Sequence, residues 1–460
     1  MKADRRVIVI GAGASGLAAA IAAADAGAFV TVLEHMEAAG KKLLMTGNGR
    51  CNFTNTDVSP QHYHGDSTLI TAVLSQLTAA DCIRFFQSLG VYPKVRHYAY
   101  DDSGYVYPAS GEASCVRDAL LREALRLQVR VVYGCTLHEV CVPPDAAVST
   151  DSDSKHSRRS RAAYVLRTSQ GSFEADAVIF ATGSNAAPKT GSDSSLYPIL
   201  QALGIPFQTF RPALCPITCK EHWLSDLKGL RMEAKTVLFA QAEQCAAQGA
   251  PNGLASAFGE VQFNENAVSG IPIFQLSRHV PLFLAAQKQR KRAASKEMEA
   301  SLPAASANLG AGQTETDRLQ LTLQLALDFA PQMEETALAR LIEKLLQKGQ
   351  GLCGLLPSKL AALLQAQEAT AAAMAHRLKH FALTPTGTGG FSQAQCCSGG
   401  IPASALEGAS LQLKGWKGLY AAGELLDVDG DCGGYNLHWA FASGLAAGKA
   451  AALGALSTEK

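Results

Sequence analysis

The stretch 7–17, Val-Ile-Val-Ile-Gly-Ala-Gly-Ala-Ser-Gly-Leu, constrains this chain more than any other. Four β-branched apolar residues in a row mark a strand buried on both faces. Gly11, Gly13 and Gly16 follow in the spacing G-x-G-x-x-G, and an Ala-rich helical segment runs on to Gly27. Residues 29–33, Phe-Val-Thr-Val-Leu, read as a second strand with Glu34 at its end. Each position has a physical role in holding a dinucleotide. Gly11 permits a tight turn, Gly13 lets the backbone approach a pyrophosphate, and Gly16 brings the helix against the strand. The helix N-terminus offers unpaired N–H groups and about half a positive charge to the anion. Glu34 stands where an acid accepts from a ribose hydroxyl.

With 460 residues the chain is long enough for about three domains. Lys plus Arg number 41 against 40 for Asp plus Glu, a near-neutral balance without the footprint of a nucleic-acid binder. Lys2, Arg5 and Arg6 before an apolar run imitate a secretory signal, but the Gly fingerprint accounts for that run better. No unbroken apolar stretch suits a membrane span. Twelve scattered cysteines argue for reduced thiols. The expectation is a cytoplasmic protein without membrane insertion, acting on a small molecule. Its oligomeric state stays open.

The loop 40–55 combines Gly47, Gly49, Arg50, Lys41, Lys42 and two Asn, suited to presenting N–H groups and cations to a polar ligand. Helices are expected over 66–90 and 113–126, an aromatic hairpin or lid over 98–108, and a strand over 129–133. The residues after that strand are placed to pass the adenine end of a cofactor. Residues 145–162, rich in Asp, Ser, Lys and Arg, read as a mobile hairpin tip. Residues 177–183, Ala-Val-Ile-Phe-Ala-Thr-Gly, read as a buried strand that stops beside a ligand. From about residue 207 alternation takes over, at 232–239, 259–263 and 319–329. Poor order is expected over 285–317, and helices over 336–347 and 360–381. The end returns to α/β signals, a short strand from Gly418 and a helix from Tyr435 after Gly433 and Gly434.

Residues 47–55, Gly-Asn-Gly-Arg-Cys-Asn-Phe-Thr-Asn, and 423–436, Gly-Glu-Leu-Leu-Asp-Val-Asp-Gly-Asp-Cys-Gly-Gly-Tyr-Asn, complete a pattern with the fingerprint and Ala181-Thr182-Gly183. The chain resembles two-dinucleotide-binding-domain flavoproteins, and more narrowly the BaiN/YhiN-type family. Its members are variously called 3-dehydro-bile-acid Δ4,6-reductases, aminoacetone-oxidase-like proteins or NAD(P)/FAD-dependent oxidoreductases. The resemblance runs nearly end to end. It implies an α/β fold, with a discontinuous Rossmann-like FAD-binding domain (1–205 and 384–460), an inserted antiparallel β domain (206–332) and a helical subdomain (333–383).

The resemblance also implies tight, non-covalent FAD. Gly11, Gly13, Ala14, Ser15 and Gly16 would hold its pyrophosphate, and Glu34, beside His35, its adenosine ribose. Leu137 would lie by the adenine. Lys42, Gly49, Arg50, Cys51 and Asn52 would lie near the flavin, with Ala181, Thr182 and Gly183 flanking it. Gly423, Glu424 and Asp427 would reach the ribityl or pyrophosphate region. Asn436 and Leu437 would offer N–H groups to the pyrimidine edge, where a helix N-terminus stabilises the charge of reduced flavin. The family often reads Phe-Thr-His and Ser-Gly-Pro where this chain has Phe263-Asn-Glu265 and Ser269-Gly-Ile271, and Val-Thr where it has Cys396-Cys397.

The implied activity is NADH- or NADPH-driven reduction of an activated C=C bond, as in a 3-oxo-Δ4 bile-acid or steroid derivative. Only one complete G-x-G-x-x-G is present, so the nicotinamide would be a transient visitor. Tyr435 is the candidate proton donor, against a packing role. The alternatives are an amine oxidase using oxygen and a non-catalytic flavin-binding sensor or scaffold. No metal site is expected. Residues 427–438 imitate a calcium loop but end in His438 rather than Glu, and Cys215, Cys219 and His222 lack a second ligand pair. Adjacent Cys396 and Cys397 make a strained disulfide, so packing is favoured over thiol chemistry. Cys51 too is read as a small packing residue, and His62 and His64 as loop histidines.

Overall fold

The computed structural model describes residues 5–98, 101–143, 164–242, 253–300 and 321–454. The chain forms two compact units, residues 1–210 with 395–460, and residues 211–394.

In the first unit β1 (Arg6–Ile10) leads into α1 (Ala14–Asp25) and then β2 (Phe29–Leu33). Val7 and Val9 are fully buried, as a strand covered on both faces requires. The expected helix over 66–90 is two helices, α2 (Ser67–Leu74) and α3 (Ala79–Ser88), bent by 43°. The break has a local cause. Thr78 accepts from the Asp81 N–H, the Asp81 carboxylate accepts from the Thr78 N–H, and this capping box starts a new helix. Strands Pro93–Tyr98 and Asp101–Pro108 pair as an antiparallel hairpin. Next come α4 (Ala113–Arg126), β3 (Arg130–Val132) and β4 (Ala177–Phe180). The expected tip at 145–162 lies outside the described residues.

The second unit is built on a seven-stranded antiparallel sheet. Its long strands are β5 (Arg231–Ala242) and β6 (Ala255–Phe263). Then comes α5 (His279–Ala300), helical where poor order was expected from residue 285. The Ala, Gln, Lys, Arg and Glu that biased the composition are also good helix formers, and that propensity prevails. Residues 301–320 lie outside the described set. The strand β7 (Leu321–Asp328) precedes α6 (Glu335–Gln347), α7 (Ser358–Gln367) and α8 (Ala371–Lys379), and β8 (Phe381–Leu383) closes against β7. The single helix expected over 360–381 is therefore two helices and a strand, because the Thr370 hydroxyl caps a fresh start at α8. Leu238, Val261 and Leu325 of the sheet share one core with Leu338, Ile342, Leu364 and Leu378 of the helices. The 206–332 and 333–383 segments, separated in the sequence reading, thus fold around a single core.

The first unit is completed by β9 (Leu419–Ala421) and α9 (Tyr435–Leu453). The resulting sheet has the order β9-β4-β1-β2-β3, and every neighbouring pair is parallel. All five strands end at one edge, which gathers Gly11, Glu34, Ala181 and Ala422. Backbone bonds continue past the strands there, from Gly11 N–H to Leu33 O (2.8 Å), Ala181 N–H to Ile10 O (2.9 Å) and Ala422 N–H to Phe180 O (2.9 Å). Behind that edge α1 and α9 pack in backbone contact. A Cβ on Gly444 would fall 2.3 Å from Ser15 O, and one on Gly448 2.2 Å from Ala19 O. No single helix among the described residues is long and apolar enough to cross a membrane.

Candidate cofactor and active site

The three fingerprint glycines are required for different reasons. Gly11 has φ +100°, and a Cβ there would meet Ala181 O at 2.6 Å. A Cβ on Gly16 would sit 1.9 Å from Gly11 O. A Cβ on Gly13, in contrast, would meet no atom within 4 Å. Packing excludes a side chain at Gly11 and Gly16, whereas Gly13 faces free space at the mouth of α1. That helix has no side-chain cap, and its first intrahelical bond runs from Leu17 N–H to Gly13 O. The N–H groups of Ala14, Ser15 and Gly16 lie in the turn that an anion can satisfy. The Ser15 hydroxyl packs at the Gly423 turn, 2.4 Å from where a Gly423 Cβ would be.

Glu34 is buried, with 7% exposure. Its Oε2 accepts from the Ala12 N–H at 2.7 Å and its Oε1 from the Met36 N–H at 2.8 Å. The carboxylate is thereby locked against the Gly turn, with His35 Nδ1 3.4 Å from Oε1. The Cys135 N–H donates to Glu34 O, which brings the chain past this acid to Leu137. Glu34→Ala is expected to leave the buried Ala12 N–H without an acceptor, at about 1–3 kcal/mol, while the part-buried Met36 N–H loses its partner at smaller cost. The checks are the melting temperature of the apoprotein and the FAD content after desalting, both of which should fall.

A second group of expected residues converges on Glu424. Lys42 Nζ donates to Oε2 at 2.5 Å, while Oε1 accepts from Ser184 Oγ (2.8 Å) and the Cys397 N–H (2.9 Å). One carboxylate so ties the short helix Lys41–Met45, which stands where the sequence suggested a loop from residue 40, to the turn after Ala181-Thr182-Gly183 and to the 396–400 strand. Asp427 Oδ1 accepts from the Gly399 N–H at 2.9 Å. Gly49 (φ +81°) and Gly183 (φ +75°) both face open space. Arg50 Nε donates to Gly47 O, and its guanidinium lies 5.5 Å from the centre of the Tyr107 ring.

The N-terminus of α9 is also uncapped by any side chain. Asn436 uses its side chain elsewhere, clasping the Gly430 N–H (2.9 Å) and carbonyl (2.8 Å). The backbone N–H groups of Asn436 and Leu437 belong to the first turn, whose donors a helix leaves unpaired. Beside them lies Asn52 Oδ1, 2.9 Å from where a Gly434 Cβ would be and buried without a hydrogen-bond partner. Ser398 Oγ is a second buried polar atom without a partner. Buried unsatisfied groups are costly and call for an external partner. Together with the space at Gly13 and two uncapped helix ends, they fit a dinucleotide with a heteroaromatic head.

The thiols do not fit redox or nucleophilic roles. Burial pushes Cys51 up to about 12 and Cys397 up to about 12, and Cys396 well above the usual range. All three are free thiols. Tyr435 is 2% exposed, and its ring stacks on His62 with centroids 4.5 Å apart. His62 was read as a plain loop residue. Its Nδ1 lies 3.2 Å from Asp431 Oδ2 and its Nε2 3.2 Å from Asp57 Oδ2, while His64 Nε2 lies 3.5 Å from Asp431 Oδ1. The hydrogen bond with Asp431 raises the His62 pKa, burial opposes this, and Asp57 adds to the rise. Burial would raise Asp431, but His62 and His64 outweigh it and hold the carboxylate below its usual range. Asp431 lies 369 positions from His62, so no local pattern could have revealed the pair.

A parallel sheet with its Gly turn, its locked acid and a second uncapped helix at one edge is the framework of a Rossmann-type, FAD-dependent oxidoreductase. Residues 5–450 match the family described as HI0933-like protein Rossmann domain, and the chain belongs to that family. It is 33% identical to the 3-dehydro-bile acid delta(4,6)-reductase of Clostridium scindens, over 97% of this chain and 99% of the relative. It is 26% identical to the ribosomal RNA dihydrouridine synthase of Haemophilus influenzae, over 95% and 96% of the two chains. Among solved structures, 3-ketosteroid-delta4-(5alpha)-dehydrogenase from Rhodococcus jostii RHA1 aligns with 98% of this chain and 97% of that one. At 16% identity and a TM-score of 0.48, that likeness is too loose to carry chemistry.

Proposed function

We propose that this flavoprotein reduces an activated C=C bond with NADH or NADPH as donor, its substrate a 3-oxo-Δ4 bile-acid or steroid derivative. The observation that carries the reading is the end-to-end match, at 33% identity, to a reductase of that substrate class. The lower-identity relatives bear the name of another reductive activity, so reduction is the common element and the substrate the variable one.

FAD, held at the Gly11–Gly16 turn, Glu34, Asn52 and the first turn of α9, would supply hydride to one carbon of the double bond. The chain's own task is the proton for the neighbouring carbon. Tyr435 is buried, and its ring is covered by His62. His62 lies between the carboxylates of Asp431 and Asp57, whose hydrogen bonds favour its protonated form against the opposing effect of burial. We place it as a positioning residue, its ring stacked on that of Tyr435 and fixed in turn by Asp431 and Asp57. A positioned acid contributes about 10²–10⁴-fold to such a step.

One anaerobic titration of the flavin absorbance tests the reading. NADH or NADPH should bleach it, and a 3-oxo-Δ4 bile-acid derivative should restore it without air. Recovery only in air would remove this substrate and bring amine oxidation forward. Recovery on a uridine-containing RNA, but not on the enone, would shift the reading to the second relative's substrate. Flavin that neither donor reduces would point to a sensor or scaffold. His62→Gln should slow the enone step while leaving bleaching intact.

A further inference from the structure

Within the second unit, α6 and α8 bring together three side chains that the oxidoreductase site does not use. His376 lies in the last turn of α8, and His380, the residue just past its end, keeps the backbone bond from its N–H to His376 O. Their ring centroids are 4.7 Å apart. Glu335, the first residue of α6, reaches across to them. Its Oε1 lies 3.1 Å from His376 Nδ1 and its Oε2 3.2 Å from His380 Nε2. One ligand atom from each residue can be chosen so that all three lie within 4.8 Å of one another.

These spacings are close to those of a coordination shell. Nitrogen and oxygen ligands about 2.0–2.1 Å from a tetrahedral zinc stand about 3.3 Å from each other. The carboxylate already lies at that distance from each ring. Closing the shell needs only small rotations of exposed side chains, since His376 and His380 have 65% and 57% of their side-chain surface exposed. The neighbouring cations are engaged elsewhere. Arg377 pairs with Glu368 at 3.2 Å, and Lys379 pairs with Asp328 and donates to the carbonyls of Ala330 and Met333. Neither competes for Glu335. The negative end of α8 adds a further attraction for a cation.

We propose that Glu335, His376 and His380 form a three-ligand site for a divalent transition-metal ion of the zinc or nickel type, with water completing the shell. Two imidazoles and one carboxylate suit those ions and do not suit calcium or magnesium, which take oxygen ligands. The ion links α6 to α8 from outside the core.

Calorimetric titration of nickel chloride into the FAD-loaded full chain tests the site. Cys353→Ser serves as the background, because Cys353 is an exposed free thiol that would bind metal itself. One tight equivalent is expected. His376→Asn should weaken it by at least the roughly 10–100-fold that loss of a mere outer-shell partner costs. The His376→Asn, His380→Asn double variant should abolish it, with an unchanged circular dichroism spectrum showing that α8 is still folded. No tight equivalent in the background protein, or an unchanged one in the double variant, would overturn the proposal.

Discussion

Gly444→Val is expected to destabilise the FAD-binding unit by about 3 kcal/mol or more, whereas Gly13→Ala is expected to leave it folded and deprive it of FAD. A Cβ at residue 444 would lie 2.3 Å from Ser15 O and 3.1 Å from Ala18 Cβ. The nearest of these is helix backbone, which cannot rotate aside as a side-chain tip can. The helices α1 and α9 would have to separate, and Gly448, just as close to Ala19 O, would lose its contact with them. Overpacking at one site typically costs about 1–3 kcal/mol. Here the strain spreads along the contact that holds α1 to the sheet edge, so the expected loss lies at or beyond the top of that range. Soluble yield and thermal unfolding of the apoprotein are the readouts. Gly13 is the counter-case. Its φ of −78° suits any residue, and no atom lies within 4 Å of its missing Cβ. Alanine there costs the apoprotein no more than the loss of a weak N-cap, on the order of 1 kcal/mol. The methyl group instead occupies the space a pyrophosphate would enter, and FAD affinity should fall tenfold or more, about 1.4 kcal/mol. A Gly13→Ala protein that binds FAD as tightly as its parent would show that the anion lies elsewhere.

That contrast also separates what was legible in the sequence from what was not. The strand-turn-helix at 6–25 was readable because spacing, apolar run and glycine positions all lie within one short segment. The helix from Tyr435 was readable for the same reason. The break between α2 and α3 was obscured by the apolar period that continues across residues 75–78, although Thr78-x-x-Asp81 carries the local capping-box spacing that marks a new helix start. The basic, Ala-rich start of the 285–317 stretch was ambiguous, since its residues serve a solvated helix as well as an unstructured segment. Glu424 was singled out by family resemblance, but its reach to Lys42, 382 positions away, is a product of the fold. The cluster of Asp57, His62, His64 and Asp431 had no local signature, because a short pairing of Tyr63–His64 with Asp429–Gly430 assembles it. The unpartnered Asn52 Oδ1 likewise appears only when the chain around Gly434 closes over it.

The stability of the first unit is expected to fall by about 3 kcal/mol between about pH 6.5 and pH 4 on account of one side chain, His438. His438 is fully buried in the first turn of α9. Its Nε2 lies 2.8 Å from Leu77 O, which can only accept, so the proton sits on Nε2. Nδ1 is then left to accept from the Thr54 hydroxyl at 2.7 Å. Both ring nitrogens are satisfied in the neutral form. A second proton would place a positive charge in a site that water does not reach, which is why burial opposes it. Burial accordingly lowers the pKa from 6.5 to about 4, with the bond to Leu77 only partly opposing. In the unfolded chain the same imidazole binds its proton near 6.5. As pH falls through that window the unfolded state takes up a proton that the folded state refuses, and stability declines until the folded ring titrates too. His62 acts in the opposite sense. Its raised pKa makes its contribution complete below the unfolded value and lost as pH rises through the folded one, so it offsets part of the acid loss. His438→Gln separates the two. The Gln amide can donate to Leu77 O and its carbonyl can accept from Thr54, without a titrating group. Urea unfolding of both proteins at a series of pH values should show the parent losing stability relative to the variant by about 3 kcal/mol across this range, then running parallel below it. Equal slopes in parent and variant would mean that the ring is reached by water or finds an acceptor on protonation, and the neutral assignment would have to be abandoned.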